Sequence, residues 1–378
     1  MENLLNKKLG IAILLSLSMT LAVFSQTSKE ATFKVSSNDL LDVSLRQGNI
    51  DITTGSGNEV KIIGKNLLES ERDLLTMEQK SGKVEVKFKG EDSDNFTLVL
   101  QIPASMNLDM STGGGNIDVK GDLNGKVDAS TGGGNITAGN INGKTDFSTA
   151  GGNVSVGDVN GDADLSTAGG DMKAGSINGK ADISTAGGNI KVESVNNSAD
   201  ISTAGGNIEV GNIGGAADVS TAGGNIKIGN VSGSADVLTA GGNISLDGAN
   251  GEVETSTAAG NISLKNIKGS LEANTAAGNI YAELQPEGNK KSELNSAVGN
   301  ITLKVPENSK VTIVATLSVL VWDDKKSDTD YIESDFKPTQ VNKKGDQKQI
   351  EFIYKLNGGG PTIEVNVAMG DIEIRKLK

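Results

Sequence analysis

The chain repeats itself every 18 residues. A Gly-Asn-Ile type step recurs at Asn116, Asn135, Asn153, Asp171, Asn189, Asn207, Asn225, Asn243, Asn261 and Asn279, and after a first interval of 19 every interval is 18. A looser copy follows at Asn300, and isolated relatives stand at Gln47-Gly48-Asn49-Ile50 and Met369-Gly370-Asp371-Ile372. A fixed period of this size marks a solenoid, in which each unit packs only on its neighbours and the molecule grows in one dimension. That reading replaces the two or three globular domains that 378 residues would otherwise suggest.

One unit, residues 180–197, reads Lys-Ala-Asp-Ile-Ser-Thr-Ala-Gly-Gly-Asn-Ile-Lys-Val-Glu-Ser-Val-Asn-Asn. Two short runs alternate with period two, as half-buried strands do. Ala181, Ile183 and Thr185 share one side and Asp182 and Ser184 the other; Ile190 and Val192 oppose Lys191 and Glu193. Val195 adds a third apolar point after a bend. Gly187-Gly188 and Asn196-Asn197 are expected at the corners, where a positive φ is cheap for Gly and tolerable for Asn. A lone coil buries too few side chains to offset the ordering of its backbone, so the coils must stack. The expected fold is therefore all-β: a single-stranded parallel β-helix of about 18 residues per coil. Right-handed winding is expected because parallel crossovers run that way.

Composition agrees with a long, thin core. Gly accounts for 50 residues, aromatics for 3%, and Cys and His are absent. The regular solenoid is placed at 106–304, with less regular β caps at 27–105 and 305–378. Residues 1–26 read as a signal peptide, with Lys7 and Lys8 before an apolar stretch from Leu9 to Phe24 and a cleavage point near Ser25 or Gln26. The chain is expected to be exported, to the periplasm, the outer cell surface or the medium. It is expected to hold no transmembrane segment after cleavage and, without Cys, no disulfide.

The columns differ in meaning. The Gly-Asn corner is expected to be an amide ladder linking coil to coil. Thr112, Thr131, Thr149, Thr167, Thr185, Thr203, Thr221, Thr239, Thr257 and Thr275 fill one inward position, where each hydroxyl is expected to bond nearby backbone. An outward-facing Thr array matched to ice is the rejected alternative. The third column is acidic: Asp109, Asp128, Asp146, Asp164, Asp182, Asp200, Asp218, Asp236, Glu254 and Glu272. Neighbours at ~4.8 Å repel by about 0.9 kcal/mol even in full water dielectric. Lys126, Lys144 and Lys180 stand two residues upstream of three of these acids and relieve some coils. Solvation is the bland explanation of the rest; Ca²⁺ bridging carboxylates is the sharp one. Ser111, Ser130, Ser148, Ser166, Ser184, Ser202, Ser220 and Ser256 complete a polar, sugar-compatible face.

No catalytic constellation emerges. Without His or Cys there is no Ser–His or Cys–His nucleophile and no ordinary zinc site. The Gly-rich corners lack the Lys-Ser/Thr of a phosphate loop. Paired carboxylates abound, as in carbohydrate-active enzymes, but the repeats carry no Arg and almost no cleft-building insertions. The net charge of −13 opposes nucleic acid and anionic membrane surfaces as partners. No cofactor is expected, Ca²⁺ aside.

The repeated Ser-Thr-Ala-Gly-Gly-Asn-Ile unit resembles the bacterial "putative adhesin" β-strand-repeat family, which is related to head-type adhesin domains. So does the closing segment Gly358-Gly359-Gly360-Pro361-Thr362-Ile363-Glu364-Val365 with Gly370-Asp371-Ile372-Glu373-Ile374. The resemblance spans about residues 30–378. It implies an exported β-helix and supplies no catalytic residue; with the leader, the insertion-free repeats and the long polar faces, the expectation is a non-enzymatic, adhesin-like rod of the cell surface that binds a ligand such as a glycan or protein. The alternatives are a self-associating scaffold of the cell envelope and, more distantly, a carbohydrate-active enzyme.

Overall fold

A computed structural model describes residues 26–91, 95–318, 331–344 and 349–377. The expected leader lies outside the described residues except for Gln26, which opens the first strand. The fold is all-β, with parallel strands stacked in two sheets. Sheet I holds Ala181–Thr185 and its equivalents, and sheet II holds Ile190–Val195 and its equivalents. Ala163 pairs with Ala181 and Ala181 with Ala199; Met172 pairs with Ile190 and Ile190 with Ile208. Each residue therefore lies beside its counterpart one repeat away.

The period-two pattern decides what is buried. Ala181, Ile183, Ile190, Val192 and Val195 are each 3% exposed or less, and the same holds for their neighbours along the stack. Single parallel bridges join Leu123, Ile141, Val159 and Ile177 in turn, so the third apolar point forms a line of its own. The core is thus a thin column of aliphatic side chains closed by two sheets and a bend.

The corners differ from expectation in their cause. Neither Gly188 nor Asn196 nor Asn197 has a positive φ. Gly is required at 188 by space instead. A Cβ there would stand 1.9 Å from the Gly170 carbonyl oxygen, and Gly206 meets Gly188 at the same distance. Thr185 completes the corner: its hydroxyl donates to Gly170 O at 3.1 Å and accepts from Gly188 N at 3.3 Å. The Asn column is a ladder, with each Oδ1 accepting the backbone N–H of the next coil's Asn, as from Asn189 to Asn207 at 2.9 Å.

That ladder also explains the isolated relatives. Near the N-terminus the strands are β1 (Gln26–Lys34), β2 (Leu40–Leu45), β3 (Asn49–Gly55), β4 (Glu59–Leu68), β5 (Leu75–Lys80), β6 (Lys83–Phe88), β7 (Thr97–Pro103), β8 (Asn107–Thr112) and β9 (Ile117–Lys120). The β2–β3 coil stacks directly under β8–β9, while β6–β7, later in sequence, lies beneath it. Asn49 Oδ1 accepts Asn116 N, and Thr112 donates to Gly48 O at 2.7 Å. At the other end strand Thr362–Met369 lies between Ser292–Val298 and Val311–Ser318, and Asn300 Oδ1 accepts Asp371 N. The ladder therefore runs from Asn49 to Asp371. Antiparallel pairs end the parallel growth: β1 on β4, β5 on β6, and Gln349–Leu356 on Val311–Ser318. At the N-terminal end Phe88 and Phe96 stack with ring centroids 4.1 Å apart.

Candidate functional site

Sheet I presents the acidic column to solvent. The parallel register sets Asp164 beside Asp182, Asp182 beside Asp200 and Asp200 beside Asp218, and the series continues without interruption from Asp109 to Glu272. The structure thus brings together all ten acids singled out in the sequence. It also adds five. Asp42, Glu85 and Glu78 extend the column below Asp109; Glu293 and Glu364 extend it above Glu272. Three of these were findable, because Asp42, Glu293 and Glu364 stand seven residues before Asn49, Asn300 and Asp371, the offset of Asp182 from Asn189.

The column's ends are neutralised and its middle is not. Lys83 bridges Asp42 and Glu85, and Lys87 reaches Glu85 at 3.0 Å. These lysines, Lys87 foremost, hold the Glu85 carboxyl down at about 2. Lys291 bridges Glu293 at 3.2 Å and Glu364 at 2.8 Å. Among the described residues no salt bridge reaches any of the ten acids of the column from Asp109 to Glu272. Partial burial, and then the neighbouring carboxylates, push Asp128, Asp146, Asp182 and Asp218 above the usual carboxylate range. Of the three upstream lysines, Lys144 lowers Asp128 and Asp146 by Coulomb attraction, yet both remain raised.

The acids line a trough of about 670 Å³, with Ala181, Ala199 and Ala217 along its floor and Lys144 and Lys180 on its rim. Beside it a shallower groove runs over the Ser184 and Ala186 columns, interrupted by the exposed Leu238. Toward the C-terminal end the Ser column becomes Asn274, Asn295 and Asn366, whose amides bond one another at 2.8 and 2.9 Å. Among the described residues no three acids gather around one point, because a straight column sets its carboxylates in a line; any bridging ion would lie between neighbours along that line. The inward Thr column is buried, which removes it as an external array.

Sheet II solves the same problem differently. Its outward column, where Lys173 stands beside Lys191, pairs opposite charges over one stretch: Lys191 meets Glu209 at 3.0 Å and Glu209 meets Lys227 at 3.9 Å. Lys265 meets Asp247 at 3.5 Å. Further along, Lys304 lies over the Tyr281 ring, and Arg375 reaches Glu333, Asp335 and Glu373.

Comparison with known proteins agrees with the repeat. Residues 196–375 match the model of the family described as Toastrack DUF4097. The resemblance to the "putative adhesin" β-strand-repeat family is borne out. The Toastrack match covers the acidic column from Asp200 to Glu364 and the ladder from Asn207 to Asp371. Similar solved structures include a "putative adhesin" from Bacteroides fragilis, 13% identical over 94% of this chain and 99% of that one, with a TM-score of 0.28. Another from Parabacteroides merdae is 19% identical over 68% of this chain and 92% of that one, with a TM-score of 0.30. A "putative lipid binding protein" from Parabacteroides distasonis is 12% identical over 93% and 97%, with a TM-score of 0.22. TM-scores this low carry no inference about fold or function. No curated protein matches the chain.

Proposed function

We propose that this protein is an exported, non-enzymatic, right-handed solenoid of 18-residue coils that binds a surface ligand, glycan or protein, through the outward face of sheet I. One observation carries the reading: among the described residues, ten like charges stand in an unbroken column without a salt bridge from Asp109 to Glu272, while on sheet II, with the same strand spacing, Lys191, Glu209, Lys227, Asp247 and Lys265 are paired. A like-charge ladder costs stability in the free protein. It persists where a ligand uses the charges. The trough between the acids and the Ala floor gives such a ligand a long, straight seat. The adjoining Ser column offers hydroxyls to a sugar.

Binding of the parent and of a variant carrying Asp164→Asn, Asp182→Asn, Asp200→Asn and Asp218→Asn, measured on arrays of glycans and extracellular matrix proteins, tests this. Retention of the parent and loss of the variant supports it. Equal binding by both, or none by the parent, overturns it. Ca²⁺ bridging along the column is the accessory proposal: millimolar Ca²⁺ should raise the melting temperature, and an unmoved melting curve removes the ion. Export rests on Lys7, Lys8 and the Leu9 to Phe24 stretch. Recovery of the protein from envelope or medium fractions without that stretch is expected, and cytoplasmic recovery with it intact contradicts export.

A further inference from the structure

The two ends of the solenoid present unlike edges. At the C-terminal end the outermost described strands are Glu333–Ser334 in sheet II and Gln340–Lys344 in sheet I, the first of two residues and the second carrying Lys343 and Lys344. Short, Lys-bearing edges discourage pairing with another chain. At the N-terminal end sheet II stops at β1, nine residues long and, among the described residues, paired on one side only, with β4. Val35 N donates to Asn58 O at 2.8 Å in register with that pair. In an antiparallel ladder alternate residues turn both backbone groups to the partner. Phe33 and Ala31 therefore face β4, and Glu30, Thr32 and Lys34 turn their N–H and C=O outward. The side chains of all three are exposed.

We infer that the outer edge of β1 pairs with β1 of a second copy of this chain, antiparallel, about a two-fold axis through Thr32. The inference stands apart from what sheet I binds. Register and charge both select this arrangement. Placing Thr32 opposite its own copy sets Glu30 opposite Lys34 twice, so two cross-strand ion pairs form by symmetry. In the same register every outward N–H of Glu30, Thr32 and Lys34 meets an outward carbonyl. Ala31 and Phe33 fall opposite one another on the core-facing side, where both are half-buried. A foreign strand would need the same sequence of charges; the second copy has it. One bond must be exchanged, because Gln79 Nε2 donates to the Lys34 carbonyl in the single chain. Pairing by strand addition makes sheet II continuous across two rods, leaves both C-terminal ends pointing away, and leaves both acidic columns uncovered.

Sedimentation velocity of the protein as its host processes it, across a concentration series, reads the association. A monomer–dimer equilibrium is expected. Glu30→Lys turns both ion pairs into like-charge pairs and should weaken the dimer about tenfold or more. The swap Glu30→Lys with Lys34→Glu should restore it. Thr32→Pro removes the central outward donor, a change that an edge strand tolerates when that N–H faces solvent, and should abolish the dimer. Should the proline variant fail to fold, the charge swap decides alone. A monomer at every concentration, a dimer indifferent to Glu30→Lys, or a swap that does not restore association overturns the inference.

Discussion

The corner of each coil and the outward face of sheet I are equally regular in sequence and opposite in physics. At the corner every repeated residue has a partner. Thr185 bonds Gly170 and Gly188, Asn189 accepts from Asn207, and Gly188 fits where nothing larger does. On sheet I each acid of the column from Asp128 to Glu254 has carboxylates as its neighbours on both sides. Regularity at the corner is what the fold demands; regularity in the acidic column is what the fold resists. The alternative was available one column away, where Asn274, Asn295 and Asn366 form an amide ladder, and on sheet II, where Glu209 stands between Lys191 and Lys227. A column held against both alternatives is what the proposed binding face rests on.

Substitutions at the corner should lose stability, and substitutions in the acidic column should gain it. Gly188→Ala should have the largest effect. The Gly170 carbonyl 1.9 Å from its Cβ is backbone, so the stack itself must open, at about 4 kcal/mol or more by thermal or denaturant unfolding. Thr185→Val keeps the shape and strands the Gly170 carbonyl and Gly188 N–H, for a loss of about 2 kcal/mol. Thr145 inverts the case. Its hydroxyl is buried among aliphatic side chains without a hydrogen-bond partner, so Thr145→Val should gain about 1 kcal/mol. Asp182→Asn removes two like-charge contacts at an exposed site and should gain about 0.5 kcal/mol, less at high salt.

The smallest expected effect is in pH. Asp128, Asp146, Asp182 and Asp218 have raised values, so the folded chain holds their protons more tightly than the unfolded one. Their contribution to stability grows as pH falls through those raised values toward the ordinary range near 3.9, and is lost again above them. Glu85 runs the other way: lowered to about 2, its contribution is present above its ordinary value of 4.5 and lost as pH falls toward 2. Mild acidification should therefore raise the melting temperature before stronger acid lowers it. A melting temperature that only falls from neutrality downward would erase the distinction between the column's ends and its middle.

Much of this was legible in the sequence because an 18-residue period converts directly into columns. Which side chains face inward followed from parity, and the unbroken run from Asp109 to Glu272 followed from counting. What was not legible concerns the ends and the corners. The β2–β3 coil lies below β8–β9 although some fifty intervening residues form other strands, and no local pattern announces such a re-entry. Gly188 read as a residue needing a special φ; the true constraint is the neighbouring coil's carbonyl, a contact between residues 18 apart in sequence. The neutralised ends were missed because Lys83 and Lys291 reach acids supplied by other coils.

The melting temperature of the variant with Asn at positions 164, 182, 200 and 218, measured beside the parent at neutral pH and low salt, tests the central claim most directly. Replacing four consecutive acids of the unpaired column by neutral amides should raise it. An unchanged or lower melting temperature would mean that the column costs the fold nothing, and the case for sheet I as a binding face would fall with it.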